Sequence, residues 1–568
     1  MRKLFLLSKR LLKYKWIESS HFHYRKQLIR QISHNSTDSS IVYSELPDCH
    51  LPNVSLTQYL FEKTDEFGHK VALECGITGR KYCYNQIRQL SVRFGSALIR
   101  MGLKKGDVLG VVLPNCPEWA FVFLGSTYVG VTVTPANPAY TAVEVFRQFK
   151  AAEIKAVLCH SQIASMLKPK LNNMSTVNIF ITAFGHIDGW VSLEDLLSAD
   201  IYSEEAQVDL DNDPLILPYS SGTTGLPKGV ILSHGNVVNN LCQYHVPGTT
   251  RIQAACNDYQ EKYVSILPYF HIYGLVVTLL SGLWYGAHIT ILPRFDPDLF
   301  LRTLASVKPT VLQLVPPLIS FLANSSNLDR KMFQRLHTVM SGAAPLGPSI
   351  ANKLLERINS SSLFLQEGYG LTETSPISHV SPLKGSQIGS CGKPISRTAV
   401  KILDLETGAS LPADLEGELC IKGPQVMKGY YKNKEATANM IDEEGWLHTG
   451  DIAKYDSGKR FYIVDRLKEL IKVKGLQVAP SELEDLLRSH PQVMDVAVIG
   501  VPDERTGEAP RAYVVLKPGS NVSEKSLSNF VAERAAPYKH LHGGVVFLGT
   551  IPKSATGKIL RRELKSAI

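Results

Sequence analysis

Grouped cysteines are missing from this sequence. Its nine cysteines are scattered, with no Cys-x-x-Cys pair and no metal-ligand spacing. That sets aside a disulfide framework and a zinc site, and it points to reduced thiols in an intracellular protein. Internal repeats and low-complexity linkers are lacking too, which argues against a solenoid. A long apolar run is approached once, because Asp, Glu, Lys and Arg are all absent between Lys262 and Arg294. Pro268, His271, Gly274, Gly282, Gly286 and His288 punctuate that run, so it reads as a buried strand, loop and helix rather than a membrane span. A charge excess is lacking over most of the chain. Of the net +9, residues 1–40 carry +7, and the rest holds 52 basic against 50 acidic residues. A near-neutral body gives no reason to propose a nucleic-acid partner.

What remains is an ordinary globular composition, 44% hydrophobic and 20% charged over 568 residues, long enough for two or more domains. The basic leader, residues 1–45, combines its Lys and Arg with Leu4, Phe5, Leu6, Leu7, Leu11 and Leu12 and almost no acid. It reads as a mitochondrial targeting segment, the alternatives being a disordered basic arm or a helix making peripheral contact with a membrane surface. A cytoplasmic or peroxisomal address is the competing localisation, although the terminus Ser566-Ala567-Ile568 is not Ser-Lys-Leu. From about residue 50 helix and strand patterns alternate. Ile87, Leu90, Phe94, Ala97, Leu98 and Met101 recur at helical spacing and lead into the apolar run Val108 to Leu113; Pro117 to Val129 then leads into Val131-Thr132-Val133. The expected fold class is α/β: a large N-terminal domain of several subdomains with mostly parallel sheets, residues 46–465, and a small mobile α+β C-terminal domain, residues 466–568. The boundary is set by a composition shift near Asp465-Arg466-Leu467-Lys468, beyond which Pro480-Ser481 opens a helix and Val496-Ala497-Val498-Ile499 forms a strand.

One stretch stands out as chemistry. PYSSGTTGLPKGV, residues 218–230, sets Ser220, Ser221, Thr223 and Thr224 among glycines, with Lys228 at its end. Glycines let backbone N–H groups approach a ligand, and hydroxyls and a cation add donors, so a phosphate-like anion is the first candidate. It is neither a nucleotide P-loop nor a dinucleotide fingerprint, since the position five after Gly222 is Pro227. On composition alone a flexible surface loop competes equally.

Further motifs follow in order: SGAAPLG (341–347), GYGLTE (368–373), GWLHTGD (445–451), DRLKE (465–469) and TGK (556–558). With the opening loop they resemble the acyl-adenylate-forming superfamily, and LPYFHIYGL (267–275) and KELIKVKGLQVAPSELE (468–484) resemble its 4-coumarate:CoA ligase and firefly luciferase-like branch. The resemblance covers about residues 50–568. It implies a two-step reaction in which a carboxylic acid attacks the α-phosphate of Mg-ATP, releasing pyrophosphate, and coenzyme A then displaces AMP. Such chemistry requires neutralisation of charge on phosphate oxygens rather than a nucleophilic triad.

The resemblance also implies the site. Ser220, Ser221, Gly222, Thr223, Thr224, Gly225 and Lys228 would cradle phosphate; Glu373 would hold Mg²⁺ with Thr372 beside it on the phosphate. Gly342, Ala343, Ala344, Gly368 and Tyr369 would wall the adenine, and Asp451, joined by Arg466, would take the ribose hydroxyls. Lys558 would bridge the carboxylate and α-phosphate, offsetting repulsion between two anions. Lys468 would join the nucleotide site, and Lys472 and Gln477 would lie on a second face presented by rotation about residues 465–468. Lys474, Gly475 and Arg294 are the coenzyme A candidates, and His271 and Tyr273 line the acyl pocket. A departure is Gln366-Glu367 before Gly368, where close relatives usually carry Gln, and this bears on the shape of that pocket. The expected function is an acid:CoA ligase acting on a fatty acid of medium or long chain or on an aryl, cinnamate-like acid. The alternatives are a luciferase-like or carrier-loading adenylating enzyme and a silent nucleotide-binding scaffold. No obligate protein partner is evident.

Overall fold

The computed structural model describes residues 40–198, 203–220, 227–473, 476–503, 505–554 and 557–566. The leader up to residue 39 and, among the expected site residues, Ser221, Gly222, Thr223, Thr224, Gly225, Lys474 and Gly475 lie outside the described residues. Val42–Tyr43, inside the segment read as leader, is a strand whose Val42 is buried opposite Val400, so the folded body begins by Val42.

The helical spacing noted at Ile87 produces helix Tyr84–Arg100, with Ile87, Phe94, Ala97 and Leu98 buried. After strand Val108–Val112, buried throughout, helix Glu118–Tyr128 is enclosed on nearly every side, as a helix apolar all round must be. The two helices touch backbone to backbone. A Cβ on Gly125 would lie 2.4 Å from the Ser91 carbonyl and one on Gly95 2.5 Å from that of Gly125, a crossing that only glycine permits.

Two nine-stranded sheets, parallel at their centres, build the large domain. One is centred on Val108–Val112 and carries Tyr219–Ser220 and Lys228–Ser233 at its edge; the other is centred on Val311–Leu314, with Thr338–Ser341 and Phe364–Gly370 beside it. A third sheet of five strands is wholly antiparallel and ends in Leu447–Tyr455 and Phe461–Arg466. The alternating pattern gave no sign of it, because its last four strands are joined by loops and one short helix, Lys434–Ala438, and not by long crossover helices. The charge-free segment folds as strand Lys262–Ser265, a π-helix Tyr273–Leu280 continuing into Ser281–Trp284, and strand His288–Ile291. Among the described residues no helix is long and apolar enough to cross a membrane. Beyond Arg466 the small domain has its own sheet, built on the hairpin Val493–Asp503 and Gly507–Leu516, with helices Pro480–Arg488 and Glu524–Ala532 packed on each other.

Candidate active site

The ends of the opening loop are brought side by side, with Ser220 directly opposite Lys228 in an antiparallel pair. Ser220 Oγ donates to Glu373 Oε1 at 2.9 Å, and the Tyr430 hydroxyl donates to the same oxygen at 2.9 Å. Glu373 is buried in the short 3₁₀ turn Thr372–Thr374, where Thr372 is half-buried beside it. Among the described residues no donor reaches its second oxygen. The Lys228 ammonium lies 5.0 Å from the centre of the Tyr430 ring. Lys468 is held below the usual lysine value by partial desolvation and by Lys228, so two cations face one region at this end of the cleft.

The next group lies at the carboxyl ends of parallel strands, where open α/β sheets bind ligands. Strand Thr338–Ser341 runs parallel to Phe364–Gly370 with Ser341 opposite Glu367. Gly342-Ala343-Ala344 leaves the first strand as Gly368-Tyr369 continues the second, and Ala343 has φ 69°. The Tyr369 hydroxyl donates to Asp451 Oδ2 at 2.6 Å, and Arg466 Nε sits 3.2 Å from Asp451 Oδ1. Asp451 and Arg466 are direct partners across strands Leu447–Tyr455 and Phe461–Arg466. Burial pushes the Asp451 carboxyl up, with Arg466 pulling against it.

Lys558 closes the group from the small domain. Gly557 has φ +80°, and a Cβ there would come within 2.6 Å of Pro317 Cγ in helix Pro316–Asn324, so this loop rests on the large domain. Desolvation, and after it Arg466, pulls the Lys558 ammonium down to about 8. His271 is pulled down to about 4 by desolvation and then by Lys558, and is therefore neutral at physiological pH. The Tyr273 N–H donates to His271 Nδ1 at 3.2 Å, which leaves the ring proton on Nε2. Tyr273 is buried, its hydroxyl 3.4 Å from the Leu314 carbonyl, and Gly342 packs on its ring. A consequence is testable by pH. The Lys558 charge is lost as pH rises through about 8, so for the adenylate-forming reaction that the motifs imply, kcat/KM for pyrophosphate release should fall above that pH. In Lys558→Arg, whose cation persists past about pH 12, any residual activity should lack that alkaline limb. An unchanged limb in this variant would assign it to another group.

The chain matches the AMP-binding enzyme family over residues 60–431 and the AMP-binding enzyme C-terminal domain over residues 482–558. It belongs to the AMP-binding enzymes. Within this acyl-adenylate-forming superfamily it falls on the 4-coumarate:CoA ligase branch. It is 38% identical to 4-coumarate–CoA ligase 1 of Arabidopsis thaliana, over 95% of this chain and 98% of that one. It is 39% identical to 4-coumarate–CoA ligase of Vanilla planifolia, over 93% and 96%. Among solved structures, ATP-bound MatB from Rhodopseudomonas palustris superposes with a TM-score of 0.82 at 28% identity, covering 90% of this chain and 98% of that one. The apo form of the same protein superposes with 0.71 over the same shares.

Of the residues expected at an AMP-binding enzyme's site, the described ones that come together are Ser220, Lys228, Glu373, Gly342, Tyr273, Tyr369, Asp451, Arg466, Lys468, His271 and Lys558. Lys472 and Arg294 are exposed, and the Lys472 N–H donates to Glu508 Oε2 at 2.8 Å. Lys472 pairs across the small sheet with Gln477. Tyr430, which holds Glu373, and Pro317, which receives Gly557, were missed, for neither belongs to a motif with a chemical reason of its own. Glu367, the departure noted beside Gly368, is buried: the Gly389 N–H donates to its Oε1 at 2.7 Å, and burial pushes the carboxyl up to about 7. Outside the site Cys420, Glu418 and His448 cluster, with His448 Nδ1 2.9 Å from Glu418 Oε2 and 3.5 Å from Cys420 Sγ. The hydrogen bond to Glu418 raises the His448 value, and burial raises that of the Cys420 thiol and so disfavours a metal-binding thiolate.

Proposed function

We propose that this AMP-forming acid–thiol ligase activates an aryl or cinnamate-like acid. The observation that carries the reading is likeness at 38–39% identity, over more than nine-tenths of both chains, to proteins named 4-coumarate–CoA ligase. A second likeness points the same way: a benzoate CoA ligase from Burkholderia xenovorans LB400 superposes with a TM-score of 0.80 at 25% identity, over 90% of this chain and 99% of that one. The acid's carboxylate oxygen forms a bond to the α-phosphorus as the bond to pyrophosphate breaks. The thiol sulfur of coenzyme A then bonds to the acyl carbon as AMP leaves with the bonding pair, and the thiol proton passes to solvent.

Lys558 lies between the two anions that must meet and lowers their repulsion. Lys228 and Lys468, with Ser220 and the Thr372 hydroxyl, bind the outgoing phosphates. Asp451, fixed by Arg466 and Tyr369, accepts from the ribose hydroxyls, and the Tyr369 ring with Gly342-Ala343-Ala344 encloses the adenine. His271, with its ring proton on Nε2, would donate to the acyl carboxylate, and Tyr273, packed on Gly342, would line the acyl pocket. Glu373 suits Mg²⁺, because among the described residues both donors engage one of its oxygens and none engages the other, and a buried carboxylate beside the phosphate loop is the ligand type Mg²⁺ prefers. When bound, that ion would neutralise phosphate charge. Convergence of Lys228, Glu373, Asp451, Arg466 and Lys558 also argues against a silent scaffold.

The test is pyrophosphate release across 4-coumarate, cinnamate, benzoate and medium- and long-chain fatty acids, with and without coenzyme A. Preference for a fatty acid, or release without thioester formation, would overturn the reading. For the second half-reaction we assign Lys472 with Lys474, Gly475 and Arg294 to the thioester-forming face. Lys472→Ala is then expected to slow transfer from supplied acyl-adenylate to coenzyme A more than it slows pyrophosphate release, and equal losses would argue against the assignment. The basic leader we assign to mitochondrial delivery. Residues 1–45 fused to a fluorescent reporter should reach mitochondria, and a diffuse signal would remove that assignment.

A further inference from the structure

The covalent link between the two domains is short. Strand Phe461–Arg466 ends the five-stranded sheet, strand Ile471–Val473 opens the small one, and only Leu467–Leu470 joins them. Two hydrogen bonds span that connector. The Ser481 N–H donates to Asp465 Oδ2 at 2.8 Å, and Ser481 Oγ donates to the Val464 carbonyl. Ser481 is the second residue of helix Pro480–Arg488. Pro480 has no N–H, so Ser481 offers the first of the donors that a helix N-terminus leaves without an intrahelical partner. The N-cap residue, Ala479, has no side chain that could satisfy it. A carboxylate from the other domain does so instead.

Asp465 is committed to that contact. Its Oδ1 accepts from the Arg466 N–H at 2.7 Å, and the side chain is buried. On the small-domain side Arg561 faces it, held in turn by Glu469 at 2.8 Å and Glu484 at 2.6 Å. Arg561 follows Lys558 by three residues, so the same packed group shapes the loop that carries the buried ammonium. Val464 and Asp465 precede the connector and Ser481 follows it. Any turn of the small domain about Leu467–Leu470 that withdraws Lys558 therefore breaks both hydrogen bonds. The chain also superposes better on the ATP-bound than on the apo form of MatB, with TM-scores of 0.82 and 0.71.

We propose that Asp465 and Ser481 are positioning residues, a catch between the large domain's last strand and the small domain's first helix that holds the small domain in the adenylate-forming orientation. The inference rests on the two-step reading above. Neither residue touches substrate; each acts through the placement of Lys558. Once released, the carboxylate and the N–H are rehydrated, so the catch biases the orientation without locking it, as a device opened in every turnover requires.

The test separates the half-reactions in the full chain. Ser481→Ala should lower acid-dependent pyrophosphate release about 3–10-fold, the range for loss of one hydrogen bond, while transfer of supplied acyl-adenylate to coenzyme A stays unchanged or quickens. Asp465→Ala should show the same split more strongly, and Ser481→Thr, which keeps the hydroxyl, should restore the parent's balance. Equal slowing of both half-reactions, or no change in either, would overturn the catch. A parent enzyme that performs neither half-reaction would instead overturn the functional reading on which it rests.

Discussion

Lys558→Ala is expected to lower acid-dependent pyrophosphate release by about 10²–10³-fold, the loss typical of a donor aimed at charge developing in a transition state. ATP affinity should fall far less. In the proposed reading the ground-state triphosphate is also met by Lys228 and Lys468, and Lys468 is lowered by desolvation and then by Lys228. Lys558 differs from them in place. It is half-buried, and its charge is costly enough there to be pulled down to about 8. Its loop is seated on Pro317 by a glycine at φ +80°. An ammonium held at that cost gains most when two anions are forced together beside it. Pyrophosphate exchange measured with saturating ATP would decide the matter, and a variant with near-parental exchange would remove Lys558 from the first step.

The second large effect concerns stability. Arg466→Ala removes the partner of a carboxylate whose side chain is only 4% exposed, whereas the guanidinium itself is 30% exposed. Breaking a wholly buried pair costs about 3–5 kcal/mol because one charge is stranded. With one partner part-solvated, about 2 kcal/mol is the expected loss. The sign of the pH dependence follows from Asp451. Burial already raises its carboxyl, and without Arg466 it rises further, so the carboxyl protonates at higher pH and the penalty shrinks as pH falls. Asp451→Asn in the Arg466→Ala background should therefore recover stability, since the stranded charge is gone and the Tyr369 hydroxyl keeps an acceptor. Urea unfolding at neutral pH checks this, and a double variant no more stable than the single one would contradict it. ATP affinity should stay low in both, because the carboxylate proposed to hold the ribose is either displaced or neutral.

Much of this was legible in the residues themselves. Helical spacing at Ile87, Phe94 and Leu98 and the apolar run at Val108 set the helices and strands of the large domain, because the two periodicities decide which side chains can be buried together. Spaced motifs named Lys228, Glu373, Asp451, Arg466 and Lys558, since phosphate chemistry needs those residue types whatever fold carries them. What the chain order could not supply is distance. Ser220 meets Glu373 across 153 positions and Tyr430 meets it across 57, and no local pattern records such a pair. The antiparallel third sheet, the pairing of Glu367 with the Gly389 N–H, and the capping of one domain's helix by the carboxylate of the other are likewise facts of tertiary packing. Each depends on which buried polar group finds a partner when remote segments close on one another, and burial without a partner costs more than any local preference returns. The sequence by itself determined the chemistry available to this protein; only the folded structure decided which of those groups face one another, and that Lys558 is delivered to them from a second domain.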